Sequence, residues 1–273
     1  MPKVVLVTGC SAGGIGFALS ERFAECGCKV YATARNVDKM QGFKGSNIET
    51  LALDVNDDDA VQSVVQRILD VEGKIDVVVN NAGAICIGAL LDIPLEKVKE
   101  AFDTNAFAAL RVAKAVMPPM VKRRSGVIVN VGSIVGDIPT PWNGIYSASK
   151  AALHSLTEVL MMEAKPFNVS VMLVVPGAVR SNIANNSNSS FRLPPDSLYG
   201  AFLHNMIDRM NVSQGAHSMP TEVFVRKVVA NALKEKPPAY ITLGGNAKLF
   251  SFLKWLPRAF VLWIMWRRYS RAA

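Results

Sequence analysis

The sequence predicts an α/β protein, a doubly wound parallel sheet covered by helices on both faces. Three observations carry this. Short runs rich in Val, Ile and Leu alternate along the chain with longer segments of helical apolar period. Several of those runs are apolar without a break, which suits central strands of a parallel sheet buried on each side. The first run passes straight into a glycine-rich turn that opens a helix-like segment. With 273 residues, 50% hydrophobic and 19% charged, the chain has material for one core, and one main domain over 1–245 is expected.

The first strand, Val4 to Thr8, runs into Thr8-Gly9-Cys10-Ser11-Ala12-Gly13-Gly14-Ile15-Gly16, and the apolar period continues through Phe23. Glycines let a backbone approach a pyrophosphate, and the free N–H groups at a helix N-terminus favour the anion. The turn therefore points to a dinucleotide held around Gly9, Ser11, Gly14, Ile15 and Gly16, although a glycine loop by itself is compatible with an ordinary tight turn. The second strand is Lys29 to Thr33. At this distance from the turn an NAD site carries Asp or Glu for the ribose 2'-hydroxyl, whereas a nearby Arg accommodates a 2'-phosphate. Here the acidic position is Ala34 and the next residue is Arg35, so the predicted cofactor is NADPH; a solvated surface arginine is the alternative.

The third strand is Ile48 to Leu53, and the fourth, Ile75 to Val79, leads into Asn80-Asn81-Ala82-Gly83. That stretch lies where a parallel sheet presents its carboxyl edge to ligands, although it also fits a plain turn. The fifth strand, Gly126 to Val131, delivers Ser133, and Tyr146-Ser147-Ala148-Ser149-Lys150 follows. Tyr and Lys four apart project from one helix face. A phenol with a reference pKa near 10 is a poor proton donor or acceptor at neutral pH unless a cation favours the phenolate, and Lys150 is the candidate cation. Reducing a ketone delivers hydride to carbon while charge grows on oxygen, so hydroxyl donors must wait where the oxyanion forms. Ser133 and Tyr146 can do this, with Tyr146 passing its proton on. His154, one turn further along, reads as a packed or capping histidine rather than a catalytic one. Strands at Ser170 to Val175 and Ala239 to Leu243 complete the sheet.

Taken together these residues resemble the short-chain dehydrogenase/reductase family over Lys3 to Ser181. The resemblance implies a Rossmann-type sheet and NADP chemistry. It makes Tyr146 the general acid, Lys150 its partner, Ser133 the hydroxyl that holds the carbonyl, and Asn105 the anchor of a proton-relay water. It places Asn81, Ala82 and Gly83 beside the adenosine ribose, Asp54 with Val55 at the adenine, and Pro176, Gly177, Val179 and Ser181 at the nicotinamide. Two departures stand out: Ser181 occupies a position where Thr is commoner, and the glycine loop is one residue longer than Thr-Gly-x-x-x-Gly-x-Gly. Residues 182–220 look like the substrate lid: Asn- and Ser-rich to Ser190, then apolar at Phe191, Leu193, Leu198, Tyr199, Phe202 and Leu203.

Within the family, Tyr146 to His154, Lys165-Pro166-Phe167-Asn168-Val169, Asn80 to Gly83 with Cys86, and the C-terminal tail are similar to fungal NADPH-dependent 1-acyldihydroxyacetone-phosphate reductases. That implies a lipophilic small-molecule ketone, with a steroid, retinoid or terpenoid carbonyl as the alternative. It also implies a place on the cytosolic face of the endoplasmic reticulum or on lipid droplets, and otherwise in the cytoplasm. An NADPH-binding regulator is the reading outside enzymes, and the filled positions Asn105, Ser133, Tyr146 and Lys150 argue against it.

Four cysteines without zinc-ligand spacing read as free thiols, with no metal expected, and since the first residues already read as a strand no secretory leader is expected. The net charge of +8 suggests nucleic acid until it is located. From Lys236 onward lie seven Lys or Arg and no Asp or Glu, so the remainder carries only +1 and no nucleic-acid partner is expected. The tail, residues 246–273, mixes aromatics and cations, and its charge-free run Ala259 to Trp266 is far short of the roughly 20 residues that cross a bilayer. An amphipathic helix lying on a membrane surface is expected; a helix packed on the domain or across a homodimer is the alternative.

Overall fold

A computed structural model describes residues 1–181, 191–215 and 217–270. All seven expected strands form: β1 (Val4–Thr8), β2 (Lys29–Ala34), β3 (Ile48–Ala52), β4 (Val77–Asn80), β5 (Gly126–Val131), β6 (Val169–Pro176) and β7 (Tyr240–Leu243). They make one parallel sheet in the order β3-β2-β1-β4-β5-β6-β7. The order reverses direction between β1 and β4, so their carboxyl ends open a crevice at the switch point. The fourth strand begins two residues later than expected, at Val77. Asp76, just before it, is occupied by accepting from Val4 N at 2.8 Å and pairing with Lys74 at 2.9 Å.

The two faces of β1 explain the unbroken apolar run. Val5 and Val7 pack with Leu19 and Phe23 of α1 (Ile15–Glu25) and with Phe224, Val225, Val228 and Val229 of the helix Thr221–Ala232. Val4 and Leu6 face the other layer, built from Val61, Val65 and Ile68 of α2 (Asp58–Glu72) and Val112, Val116 and Met120 of α4 (Ala108–Lys122). Side chains alternate across a strand, so only an uninterrupted apolar sequence fills both layers. α3 (Leu95–Phe102) reaches α4 through a wider π-helical turn over Asp103–Phe107, and α5 (Ile134–Asp137) and α6 (Gly144–Ala164) follow β5.

The C-terminal stretch folds back as two helices, Ala247–Leu253 and Arg258–Tyr269. Phe250, Leu253, Val261 and Met265 are buried against Ile138, Leu173 and Val175, and Trp142 Nε1 donates to Tyr269 O at 2.7 Å. The alternative of a tail packed on the domain is thus what the structure shows; Phe252, Trp255, Phe260 and Trp263 stay exposed, while the half-exposed Trp266 ring meets Trp142 at 6.1 Å. Among the described residues no helix is long and apolar enough to cross a membrane. The expected Asn- and Ser-rich part of the lid, 182–190, lies outside the described residues; the part that follows buries Met206 against Trp142, with Phe202 stacked on that indole at 5.1 Å.

Candidate active site

The glycine turn begins at Gly9, whose φ of +73° and approach to Ala82 leave no room for a side chain: a Cβ there would lie 2.8 Å from Ala82 Cα. The extra residue in the turn is taken up locally. Ala12 N donates to Lys39 O at 2.7 Å and Gly14 N to Ser11 O at 3.0 Å, while Cys10 turns inward and is fully buried, its thiol pushed up to about 12 by desolvation. Asn81 fastens the turn to the end of β4. Its Nδ2 donates to Thr8 O at 2.9 Å and Gly9 O at 3.1 Å, while Thr8 Oγ1 accepts from Asn81 N and Ala82 N, both at 3.1 Å.

Two concavities flank this junction. A cleft of about 740 Å³ is lined by Gly9, Ser11, Ala34, Arg35, Asp54, Val55 and Ala82. A smaller pocket of about 170 Å³ is lined by Ile15, Asn81, Gly83, Ser133, Tyr146, Lys150, Pro176, Gly177, Val179 and Ser181. Gly14 and Gly16 line neither; Gly16 is buried at the start of α1, close behind Gly9. The turn with its close backbone approach, the helix start and the elongated cleft fit a dinucleotide, and Arg35 stands at the cleft where the acidic residue of an NAD site is replaced by Ala34.

Tyr146 and Lys150 leave α6 on one face, as their spacing requires. The Lys150 ammonium lies 5.8 Å from the centroid of the Tyr146 ring and donates to Val131 O at 2.8 Å. Burial pushes the lysine down to about 8. Burial also pushes the Tyr146 phenol up, opposed by its hydrogen bond with Ser133 and by the charge of Arg209. Ser133 caps α5, its Oγ accepting from Val135 N at 3.4 Å. Asn105 sits in the π turn behind the pocket: Oδ1 accepts from Ala84 N at 2.8 Å, and Nδ2 donates to Ala84 O at 2.8 Å and Ser149 Oγ at 3.0 Å. Ser149 Oγ in turn donates to Tyr146 O at 2.9 Å, so Asn105 braces the helix turn that carries the phenol.

With Tyr146, Ser133 and the buried Lys150 lining one pocket, comparison with known proteins gives a consistent picture. The family profile described as short chain dehydrogenase matches residues 3–191. The chain belongs to the short-chain dehydrogenase family. A short-chain dehydrogenase of Penicillium ochrochloron is 37% identical over 252 residues, 92% of this chain and 91% of its own. An NADPH-dependent 1-acyldihydroxyacetone phosphate reductase of Schizosaccharomyces pombe is 36% identical over 227 residues, 82% of this chain and 74% of its own. The crystal structure of a short-chain dehydrogenase from Streptomyces avermitilis superposes with a TM-score of 0.81 at 29% identity, covering 99% of this chain and 98% of that one.

In this dehydrogenase one further side chain touches the cluster of Ser133, Tyr146 and Lys150. His154, packed as its sequence context suggests, also has a polar role: Nε2 accepts from Ser133 N at 3.2 Å, and Nδ1 meets Asp137 Oδ1 at 3.2 Å. Accepting at Nε2 places the proton on Nδ1, directed at the carboxylate. Gly132 and Gly136 make room for the ring, since a Cβ on Gly136 would sit 2.8 Å from His154 Cε1 and one on Gly132 would collide with Nε2. Asp137 also pairs with Lys254 at 3.1 Å, which links the tail to the serine. A buried histidine whose neighbouring glycines, Gly136 and Gly132, lie 18 and 22 positions earlier in the chain has no local signature, so only the tertiary contacts expose this role.

Proposed function

We propose that this enzyme uses NADPH to reduce the ketone of a lipophilic substrate to a secondary alcohol, the best candidate being 1-acyldihydroxyacetone phosphate, with 1-acylglycerol 3-phosphate as product. The observation that carries the reading is the placement of Tyr146, Ser133 and Lys150 in one pocket whose wall also includes the apolar side chains of Ile85, Ile87, Ile134, Val135, Val179 and Met210. The Schizosaccharomyces relative, named for that substrate, supports it.

Gly9, Ser11, Gly14, Ile15 and Gly16 would hold the pyrophosphate, Arg35 the 2'-phosphate, Asp54 and Val55 the adenine, and Asn81, Ala82 and Gly83 the ribose. Pro176, Gly177, Val179 and Ser181 would line the nicotinamide side. The cofactor, when bound, supplies the hydride. Ser133 and Tyr146 present their O–H groups to the substrate oxygen as negative charge develops on it. Tyr146 then gives its proton to that oxygen, and Lys150 stabilises the phenolate left behind. Asn105 keeps the Tyr146 turn in place through Ser149 and is the residue that would hold a relay water.

Acyl-dihydroxyacetone phosphate, steroid and long-chain ketones, assayed by NADPH oxidation, test the reading. Turnover of the acyl phosphate ketone is expected, at higher kcat/KM with NADPH than with NADH. Tyr146→Phe should keep NADPH affinity and lose roughly 100- to 10,000-fold in kcat. A variant with wild-type rate would remove Tyr146 from the chemistry, and no oxidation with any ketone would favour a nucleotide-binding regulator.

The outer face of the tail supports a second part of this reading, association with a membrane surface such as the endoplasmic reticulum or a lipid droplet. Phe252, Trp255, Phe260 and Trp263 are exposed beside Lys248, Arg258, Arg267 and Arg268. Arg267 lies 4.9 Å over the Trp263 ring. Exposed aromatics suit the headgroup boundary, and the cations suit anionic lipid.

A further inference from the structure

Among the described residues, Arg209 is the one cationic side chain besides Lys150 that lines the pocket. It comes from the lid helix Leu203–Asn211 and shares the pocket wall with Thr140, Tyr146 and Tyr269. Its Nε donates to Thr140 Oγ1 at 3.0 Å, and its Cζ lies 5.9 Å from the centroid of the Tyr269 ring. No carboxylate pairs with it among the described residues. The hydroxyl and the ring fix the guanidinium plane but bring no counter-charge, and its two Nη groups make no hydrogen bond among the described residues.

A guanidinium taken out of bulk water without an anion is unfavourable, and burial here does oppose its charge. A neutral lipid would leave that unfavourable arrangement in place. A ligand carrying an oxyanion would remove it, because the planar fork of an arginine matches phosphate or carboxylate oxygens with two parallel hydrogen bonds. The same positive charge acts on Tyr146, so the subsite lies within electrostatic reach of the proton donor rather than at a distant surface.

We propose that Arg209 is the headgroup subsite of this pocket, taking the oxyanion of an amphiphilic ketone whose carbonyl meets Tyr146 and Ser133. The proposal rests on the reductase reading above for the orientation of the ligand, but the charge preference can be measured without turnover. Calorimetric titration of the full-length protein, saturated with NADPH so that the alcohol cannot be oxidised, compares 1-acylglycerol 3-phosphate with 1-acylglycerol of the same chain. The phosphorylated ligand is expected to bind about 10- to 100-fold more tightly, the range for a hydrogen-bonded charged group. Arg209→Met should erase the difference, with a wild-type melting temperature reporting that the fold is intact, and Arg209→Lys should retain part of it. Equal affinities in the wild type, or a preference that survives Arg209→Met, would overturn the subsite. Loss of NADPH affinity in Arg209→Met would overturn it too, by assigning the arginine to the cofactor. Absence of NADPH oxidation with every ketone, alongside an intact charge preference, would instead count against the reductase reading alone.

Discussion

Lys150 occupies an unfavourable place for an ammonium: buried, bonded to Val131 O, and pushed down to about 8 by desolvation. The sign of the pH effect follows. Unfolded lysine holds its proton to its ordinary pKa of about 10.4, so between about 8 and that value the unfolded chain binds more protons than the folded one, and stability rises with pH through the window. Below it the penalty is constant. Lys150→Met should therefore lose turnover yet raise the unfolding free energy at pH 7 by roughly 1–2 kcal/mol. Urea melts of both proteins at pH 7 and pH 9.5 should show that gain shrinking at the higher pH; a gain independent of pH would contradict the burial account. His154 gives a prediction of a different kind, because it acts through Ser133. His154→Leu removes the acceptor for the Ser133 amide and should lower kcat roughly 10- to 100-fold by misplacing the hydroxyl, with NADPH affinity unchanged. His154→Gln, which can return an acceptor to that amide, should recover part of kcat, and failure of Gln to do better than Leu would reduce the histidine to packing.

At the scale of elements, the glycine turn is fastened to the end of β4 by the Asn81 amide together with the Thr8 hydroxyl. Asn81→Ala leaves the Thr8 and Gly9 carbonyls without their shared donor, so a loss of roughly 1–3 kcal/mol in stability is expected, together with weaker NADPH binding, since the cleft is built on that turn. Thermal melts with and without NADPH separate the two; an unchanged melting temperature would show that water replaces the amide. The element boundaries show which features the sequence announces. The seven strands and the glycine turn were readable because apolar runs and glycines are local signals. The π turn around Asn105 was not, because its apolar spacing is that of an ordinary helix, and the insertion is stabilised by Ala84 and Ser149, residues 21 and 44 positions away. The tail was readable as amphipathic, but not which of its residues face inward.

For the whole molecule, the tail belongs to the core on one side and to the surface on the other, and the two sides predict opposite experiments. Truncation after Gly245 would uncover Ile138, Leu173 and Val175 and remove Lys254 from Asp137, so the shortened protein should aggregate or unfold at lower temperature. Substituting the outer residues, Trp255→Ser with Phe260→Ser and Trp263→Ser, should leave the melting temperature and NADPH binding in place and release the protein from anionic vesicles in a sedimentation assay. Vesicle binding that survives the triple substitution would rule out that face as the membrane contact.

The sheet, the glycine turn and the Tyr146–Lys150 pair follow from the order of amino acids alone, because each is written in residues a few positions apart whose geometry the backbone enforces. Tertiary structure alone decided that His154 holds Ser133, that Asn105 braces Tyr146 through Ser149, and that Arg209 and Tyr269 close the pocket. Those contacts join segments with no sequence proximity, and which of many polar side chains meet is fixed only when the core they surround has packed.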